Sequence, residues 1–234
     1  MARFFAEKIT GNEALLSEEE RHHAVRVLRL NEGDPCEVIC EGLIYPGVLT
    51  DAEQGKVTVS PPLPSPEPTV KVTLYQGIPK GDKMDMICQK CTEAGIFRIV
   101  PVEMSRCVAK IDGKDAEKKR VRWQRIAAEA AKQSGRAEVP RIDQPVSLKQ
   151  LRALTERHAL CLIPWEDARG TGIRQAWHGE EDVAVIIGPE GGMTGEEVLL
   201  TGAVPVTLGP RIFRTETAGL AALIALMTLS GNLE

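Results

Sequence analysis

Val183-Ala-Val-Ile-Ile-Gly-Pro-Glu-Gly-Gly192 is the stretch on which the reading of the whole chain turns. Its first five residues are apolar and mostly β-branched, as in a strand buried on both faces of a parallel sheet. Gly188-Pro-Glu-Gly-Gly192 follows without a break, and paired glycines let a ligand approach the backbone closely. Thr194-Gly-Glu-Glu197 is a Ser/Thr-x-x-Glu capping box, and Val198-Leu-Leu continues as helix. Strand, glycine-rich loop and helix N-terminus in succession predict a ligand site at the carboxyl edge of an α/β sheet.

A second stretch has the same order. Val204 to Leu208 reads as a strand, with Pro205 suited to a strand start. Gly209-Pro-Arg-Ile-Phe-Arg214 is its loop, and Thr215 opens a helix that is almost wholly apolar from Ala218 to Leu229. The expectation is two neighbouring strands whose loops wall one pocket. Neither loop carries Gly-x-Gly-x-x-Gly or a Gly-Lys-Ser/Thr ending, which favours a ligand held by base and sugar over one held by phosphate. Trp165, after a strand over His158–Ile163, could wall the same pocket but is read as core.

With 234 residues, 43% of them hydrophobic, and a formal net charge of −4, the composition is that of a folded soluble protein. The N-terminus shows no signal-peptide pattern and no apolar run is long enough to span a bilayer, so a cytoplasmic, non-membrane protein is expected. The mild acidity gives no global attraction to nucleic acid, and any such contact must be local. Arg21-His-His-Ala-Val-Arg-Val-Leu-Arg29 and the run Lys114, Lys118, Lys119, Arg120, Arg122, Arg125 are the two basic candidates, although a solvated helix face is the commoner outcome for such runs. Cys36-x-x-x-Cys40 and Cys88-x-x-Cys91 imitate metal half-sites. Cys88 and Cys91 continue an apolar helical stripe, however, so thiols and no metal are expected.

In chain order, Arg3-Phe-Phe5 reads as a strand and Ser17-Glu-Glu-Glu20 caps a helix running to about Leu28. Short strands over 36–40, 43–49 and 56–60 then suggest a small β-barrel. Five of the eight residues 61–68 are proline, the composition of a stiff linker, and the domain boundary is placed there: 1–68 and 69–234. Beyond it, strands and helices alternate, which predicts a parallel sheet.

Gln89-Lys-Cys-Thr-Glu93, Glu129-Ala-Ala-Lys-Gln-Ser-Gly-Arg136, Ile187-Gly-Pro-Glu-Gly-Gly192 and Leu208-Gly-Pro-Arg-Ile-Phe-Arg-Thr-Glu-Thr-Ala218 together resemble the 16S ribosomal RNA uracil-N3 methyltransferases of the SPOUT superfamily. Arg3-Phe-Phe5 and His23 through Asp34 resemble that family's N-terminal PUA-like RNA-binding barrel. Phe213 and Met193 depart from its commoner residues, apolar for apolar. The resemblance implies an α/β SPOUT domain tied in a deep trefoil knot, S-adenosylmethionine as cofactor, a homodimer, and a uridine of 16S rRNA in the 30S subunit as substrate. The cofactor would lie against Ile163, Ile187, Gly188, Pro189, Glu190, Gly191, Gly192, Leu208, Gly209, Ile212, Arg214 and Thr215. RNA would meet Arg3, Arg21, His22, Arg26 and Arg29.

Methylating uracil N3 requires removal of its proton and stabilisation of charge spread over O2, N3 and O4. Carboxylates can accept the proton and guanidinium groups can donate to the oxygens. Within the matched motifs stand Glu129, Glu190 and Glu216, and Arg136, Arg211 and Arg214. The reading favours Arg136 and Arg214 as orienting groups and leaves Glu129 and Glu216 open as the base. Two other readings stand beside it: a non-catalytic RNA-binding protein of the same fold, and a nucleotide-dependent enzyme.

Overall fold

A computed structural model describes residues 1–108, 111 and 113–233, with the side chain of Lys114 also outside the described set. The chain forms two compact units, Met1–Glu67 with Ala131–Glu138, and Pro68–Ala130 with Val139–Glu234. The return of 131–138 to the first unit is a feature no single linear boundary can express.

The first unit holds β1 (Ala2–Phe5), β2 (Ile9–Thr10), β3 (Glu13–Leu15), α1 (Glu18–His22), β4 (Pro35–Cys40), β5 (Leu43–Asp51) and β6 (Lys56–Val59). They form one six-stranded sheet in the order β1-β4-β5-β6-β3-β2. Only β1 and β4 pair in parallel. Phe4 on one edge strand and Ala14 near the other share a core with Cys36, Val38, Leu49 and Val57, so the sheet curls around its own apolar face. Ser17 caps α1 as expected, its Oγ accepting from the Glu20 amide at 3.2 Å. The helix does not run unbroken to Leu28, however. His23–Val27 is a π-helical turn, closed by the Leu28 amide donating to His23 O at 2.9 Å. The wider turn keeps Ala24 in the core while residues 26–29 face solvent. The proline-rich stretch is also more than a spacer, since Leu63 bridges Ile44 and the Glu67 carboxylate accepts from the amides of Ala137 and Glu138 at 2.7 and 3.0 Å.

In the second unit come β7 (Lys71–Gly77), α2 (Lys83–Glu93), β8 (Arg98–Glu103), α3 (Gly113–Ser134, its last residues in the first unit), β9 (Arg141–Ile142), β10 (Val146–Ser147), α4 (Leu148–Thr155), β11 (Leu160–Pro164), α5 (Ile173–Ala176), β12 (Asp182–Ile187), α6 (Gly195–Thr201), β13 (Val204–Val206) and α7 (Thr215–Leu229). Every strand pairing in its sheet is parallel, in the order β10-β8-β7-β12-β11-β13 with β9 also on β8. Period-two alternation divides β12 between two cores. Val183, Val185 and Ile187 pack with α2 and α7, and Ala184 and Ile186 pack with Leu151 of α4 and Val198 of α6. Each fully buried Val, Leu or Ile side chain among these contributes roughly 1.5–3 kcal/mol.

One expectation fails here. The strands carrying the two glycine loops are not neighbours, because β11 lies between β12 and β13 and pairs with both. The all-round apolarity of α7 also resolves into two faces. Gly219, Ala222, Leu223, Leu226 and Met227 are buried within the chain, whereas Ile224 is 41% exposed. Gly219 lets the helix press on the sheet, since a Cβ there would stand 3.1 Å from Leu74.

Candidate active site

The site is built on the carboxyl ends of β7, β12 and β11. After Ile187 the chain turns back on itself, with the Gly192 amide donating to Pro189 O at 2.9 Å and Gly192 at φ +68°. The left-handed residue is thus Gly192, which explains a glycine there. Gly77, ending β7, lies so close that a Cβ on it would stand 2.7 Å from Pro189 N. Thr215, the first residue of α7, ties the loop from the other side. Its Oγ1 donates to Gly188 O at 2.7 Å and accepts from Gln76 Nε2 at 2.9 Å. Downstream, Glu197 completes the capping box. Its carboxylate accepts from the amides of Thr194 (2.9 Å) and Ser105 (3.1 Å). Burial pushes the Glu197 carboxyl up, but these amides outweigh it and hold it below the ordinary range.

Two cavities, of about 590 and 360 Å³, share Pro164, Trp165, Glu166, Ile212 and Phe213 as walls, and the smaller opens against this loop. The larger adds Leu208, Gly209 and Arg211. The smaller adds Lys83, Ile187–Glu190, Gly192, Arg214 and Thr215. Trp165 therefore walls the site, although its half-buried ring also packs on the α4–α6 core. Its indole Nε1 is buried with no hydrogen-bond partner among the described residues. Apolar walls and the one carboxylate common to both cavities, Glu166, suit a flat heterocycle carrying a sugar diol.

A charged cluster closes one side. Lys83 Nζ lies 2.9 Å from Glu190 Oε1 and 3.1 Å from Glu216 Oε2. Glu190 Oε1 also accepts from the Lys80 amide at 3.0 Å. These carboxylates raise Lys83 above its ordinary pKa, Glu190 having the larger effect. Burial pushes Glu190 up, but Lys83 and the Lys80 amide hold it below the usual range. Glu216 is held low first by its own backbone amide at the helix start and then by Lys83.

Of the residues expected here, Ile187 to Glu190, Gly192, Leu208, Gly209, Ile212, Arg214 and Thr215 line the cavities. Gly191 is exposed beside them, its carbonyl accepting from Arg106 Nη1 at 2.8 Å. Ile163 is buried in the α4–α6 core, and the next residue, Pro164, is the wall. Glu129 and Arg136 do not line either cavity. Glu129 is exposed on α3, and Arg136 is 7% exposed within the first unit, where its Nε and Nη2 donate to Glu67 at 3.0 and 2.5 Å. In that unit Arg21, His22 and Arg26 line a surface cavity of about 390 Å³, Arg29 is exposed at φ +58°, and Arg3 pairs with Glu37. Sequence reasoning missed Lys83, Glu166, Gly77 and Arg106. Lys83 had one signal, its place in Gly81-Asp-Lys83 at the head of a helix after a strand.

The chain belongs to the RNA methyltransferase family. Residues 65–227 match the RNA methyltransferase domain and residues 16–61 match the RNA methyltransferase PUA domain. Among its relatives is the ribosomal RNA small subunit methyltransferase E of Bacillus subtilis (strain 168), 40% identical over 224 residues that cover 89% of this chain and 87% of that protein. The Neisseria gonorrhoeae ribosomal RNA small subunit methyltransferase E, solved bound to S-adenosyl methionine, is 29% identical with a TM-score of 0.86, covering 98% of each chain. A Legionella pneumophila protein solved with bound cofactor SAM is 34% identical, with a TM-score of 0.85 over 97% of this chain and 96% of that one.

Proposed function

We propose that this protein transfers the methyl group of S-adenosylmethionine to N3 of a uridine in the 16S rRNA of the small ribosomal subunit, in the cytoplasm. The observation that carries the reading is the joining of the 188–192 loop to the head of α7 by Thr215 and Lys83, around a cavity with Trp165 and Glu166 in its wall. The related proteins described above add the cofactor and the small-subunit RNA. Residues 1–68 serve as the RNA-binding domain, and residues 69–234 as a SPOUT-type methyltransferase domain with a trefoil knot.

When bound, S-adenosylmethionine supplies an electrophilic methyl group on a positively charged sulfur. The chain's task is to bind, orient and deprotonate the other reactant. Ile187, Ile212 and Phe213 would exclude water on the cofactor side, and the Glu166 carboxylate would accept from its ribose diol. Arg214 donates to a uracil oxygen, opposing the negative charge that develops when N3 loses its proton. Of the two carboxylates left open, Glu216 is the base favoured here, since it adjoins the cavity through Thr215 and Lys83 while Glu129 is exposed on α3. A carboxylate held ionised is a ready but weak acceptor, so positioning and the guanidinium charge carry more of the rate than proton affinity. Arg136 would orient substrate only by exchanging Glu67 for it.

The protein acts as a homodimer, supported by the apolar Ile224 exposed on α7 and by an apolar groove between α5 and α7. Ile224→Asp is expected to give monomer in sedimentation equilibrium, and a dimer surviving that change would rule out this face. The function itself is tested with purified protein, labelled S-adenosylmethionine and 30S subunits from a strain lacking the modification. Label in 16S rRNA is expected. Tight RNA binding with neither cofactor binding nor label would favour a non-catalytic RNA-binding role.

A further inference from the structure

Lys83 was not singled out by any motif, yet it is the group on which three separate segments converge. It opens α2, one residue after the helix cap Asp82. Its ammonium reaches Glu190 of the glycine loop (2.9 Å) and Glu216 of α7 (3.1 Å), carboxylates 26 positions apart in the chain. The Lys80 amide donates to the same Glu190 oxygen at 3.0 Å, so the 80–83 turn grips the loop with two donors. The contacts are not loose surface pairs. The Lys83 side chain is 32% exposed, Glu190 26% and Glu216 13%.

Resting on the function proposed above, we infer that Lys83 is a positioning residue that couples the cofactor loop to the substrate-facing start of α7. Without its ammonium, two ionised carboxylates face each other with no cation between them, and loop and helix separate. Thr215 still links Gly188 to α7, so the fold survives and the spacing across the cavity widens. A lysine is suited to this because its single compact charge serves both carboxylates at once. The other charged or titratable groups around the cluster are Arg214, Glu166 and Cys107, the last in the 104–108 segment. None of the three makes an ion pair with Glu190 or Glu216.

The test compares wild type with Lys83→Met, Lys83→Arg and Lys83→Met/Glu190→Gln by S-adenosylmethionine calorimetry and by methyl transfer to 30S subunits across pH. Lys83→Met is expected to weaken cofactor affinity roughly tenfold, the scale of one lost charge-assisted hydrogen bond. Its acid limb of methyl transfer should also move to higher pH, because a carboxylate that loses its cation protonates more readily. Lys83→Arg should restore both. The double variant should remain impaired, since removing the repulsion does not restore the tie. Wild-type affinity and an unmoved pH profile in Lys83→Met would overturn the inference alone. Full recovery in the double variant would reduce Lys83 to charge neutralisation and overturn positioning. Wild-type protein that bound no cofactor would overturn the functional reading and this inference with it. Circular dichroism melts of each variant separate these outcomes from unfolding.

Discussion

Gly77→Ala is the sharpest structural test of the cofactor loop, because the new atom has nowhere to go. An alanine Cβ at 77 would stand 2.7 Å from Pro189 N, 2.8 Å from Pro189 Cδ and 2.9 Å from Gly188 C. The first falls about 0.7 Å short of the 3.4 Å at which ordinary contact begins. All three atoms belong to the loop, two of them to its backbone, so no side chain can swing aside. Gly77 itself is pinned, being paired with Val102 across β7 and β8. The loop must therefore retreat from β7, at an overpacking cost of about 1–3 kcal/mol. If the retreated loop has to be drawn back to hold the cofactor, that cost appears as a roughly 5- to 140-fold weaker Kd. Calorimetry with S-adenosylmethionine measures it directly. Gly195→Ala is the control, since its Cβ meets nothing within 4 Å and its φ is not left-handed. It should bind as wild type does and gain up to about 1 kcal/mol of helix stability. Wild-type affinity in Gly77→Ala would mean that the loop is free to move without consequence, and that its glycines mark only a turn.

Three further outcomes follow from the same structure. Arg136→Ala strands the Glu67 carboxylate, which would keep two backbone amides but lose a guanidinium 8% exposed. A loss of about 2–4 kcal/mol is expected, read as a melting temperature lower by roughly 5–15 °C, and an unchanged melt would dismiss the pair as structural. Glu190, Glu197 and Glu216 all have folded pKa values below the ordinary 4.5, so their stabilisation is present above that pH and is lost as pH falls through the depressed values. Glu197→Gln should therefore flatten the acid limb of a stability–pH curve, and an unaltered limb would assign the acid sensitivity elsewhere. Replacing Arg21, Arg26 and Arg29 together by Ala should weaken RNA binding for all sequences and reduce the log–log salt slope by roughly 2–3, whereas an unchanged slope would make the patch a solvated face.

The parallel sheet was legible because period-two and capping signals coincide in the 183–198 stretch, where local preference and tertiary burial agree. The strand order was not. Nothing local distinguishes β11, at 160–164, as the strand that enters between β12 and β13, since that choice is made by long-range pairing. The break in the first helix at His23 was hidden for a similar reason, as Arg21 to Arg29 has ordinary helix propensity and the π-turn depends on seating Ala24 in the core. The cavity-lining glycines and Arg214 were readable from their loops. Lys83, Glu166 and Gly77 were not, because each acts through a partner more than 70 positions away or through a shape that only the folded chain defines. Conversely, Arg136 stood out in a motif, and its side chain is committed to Glu67.

The proposed function stands on the atom that receives the methyl group. The most direct measurement is mass spectrometry of nucleosides from 16S rRNA of 30S subunits, treated with S-adenosylmethionine and either wild-type protein or Gly77→Ala. One N3-methyluridine per rRNA is expected with wild type, and a slower appearance of the same nucleoside with the variant. Methylation at a ribose hydroxyl, at a carbon or on another base would contradict it, as would no methylation of RNA by a protein that binds the cofactor.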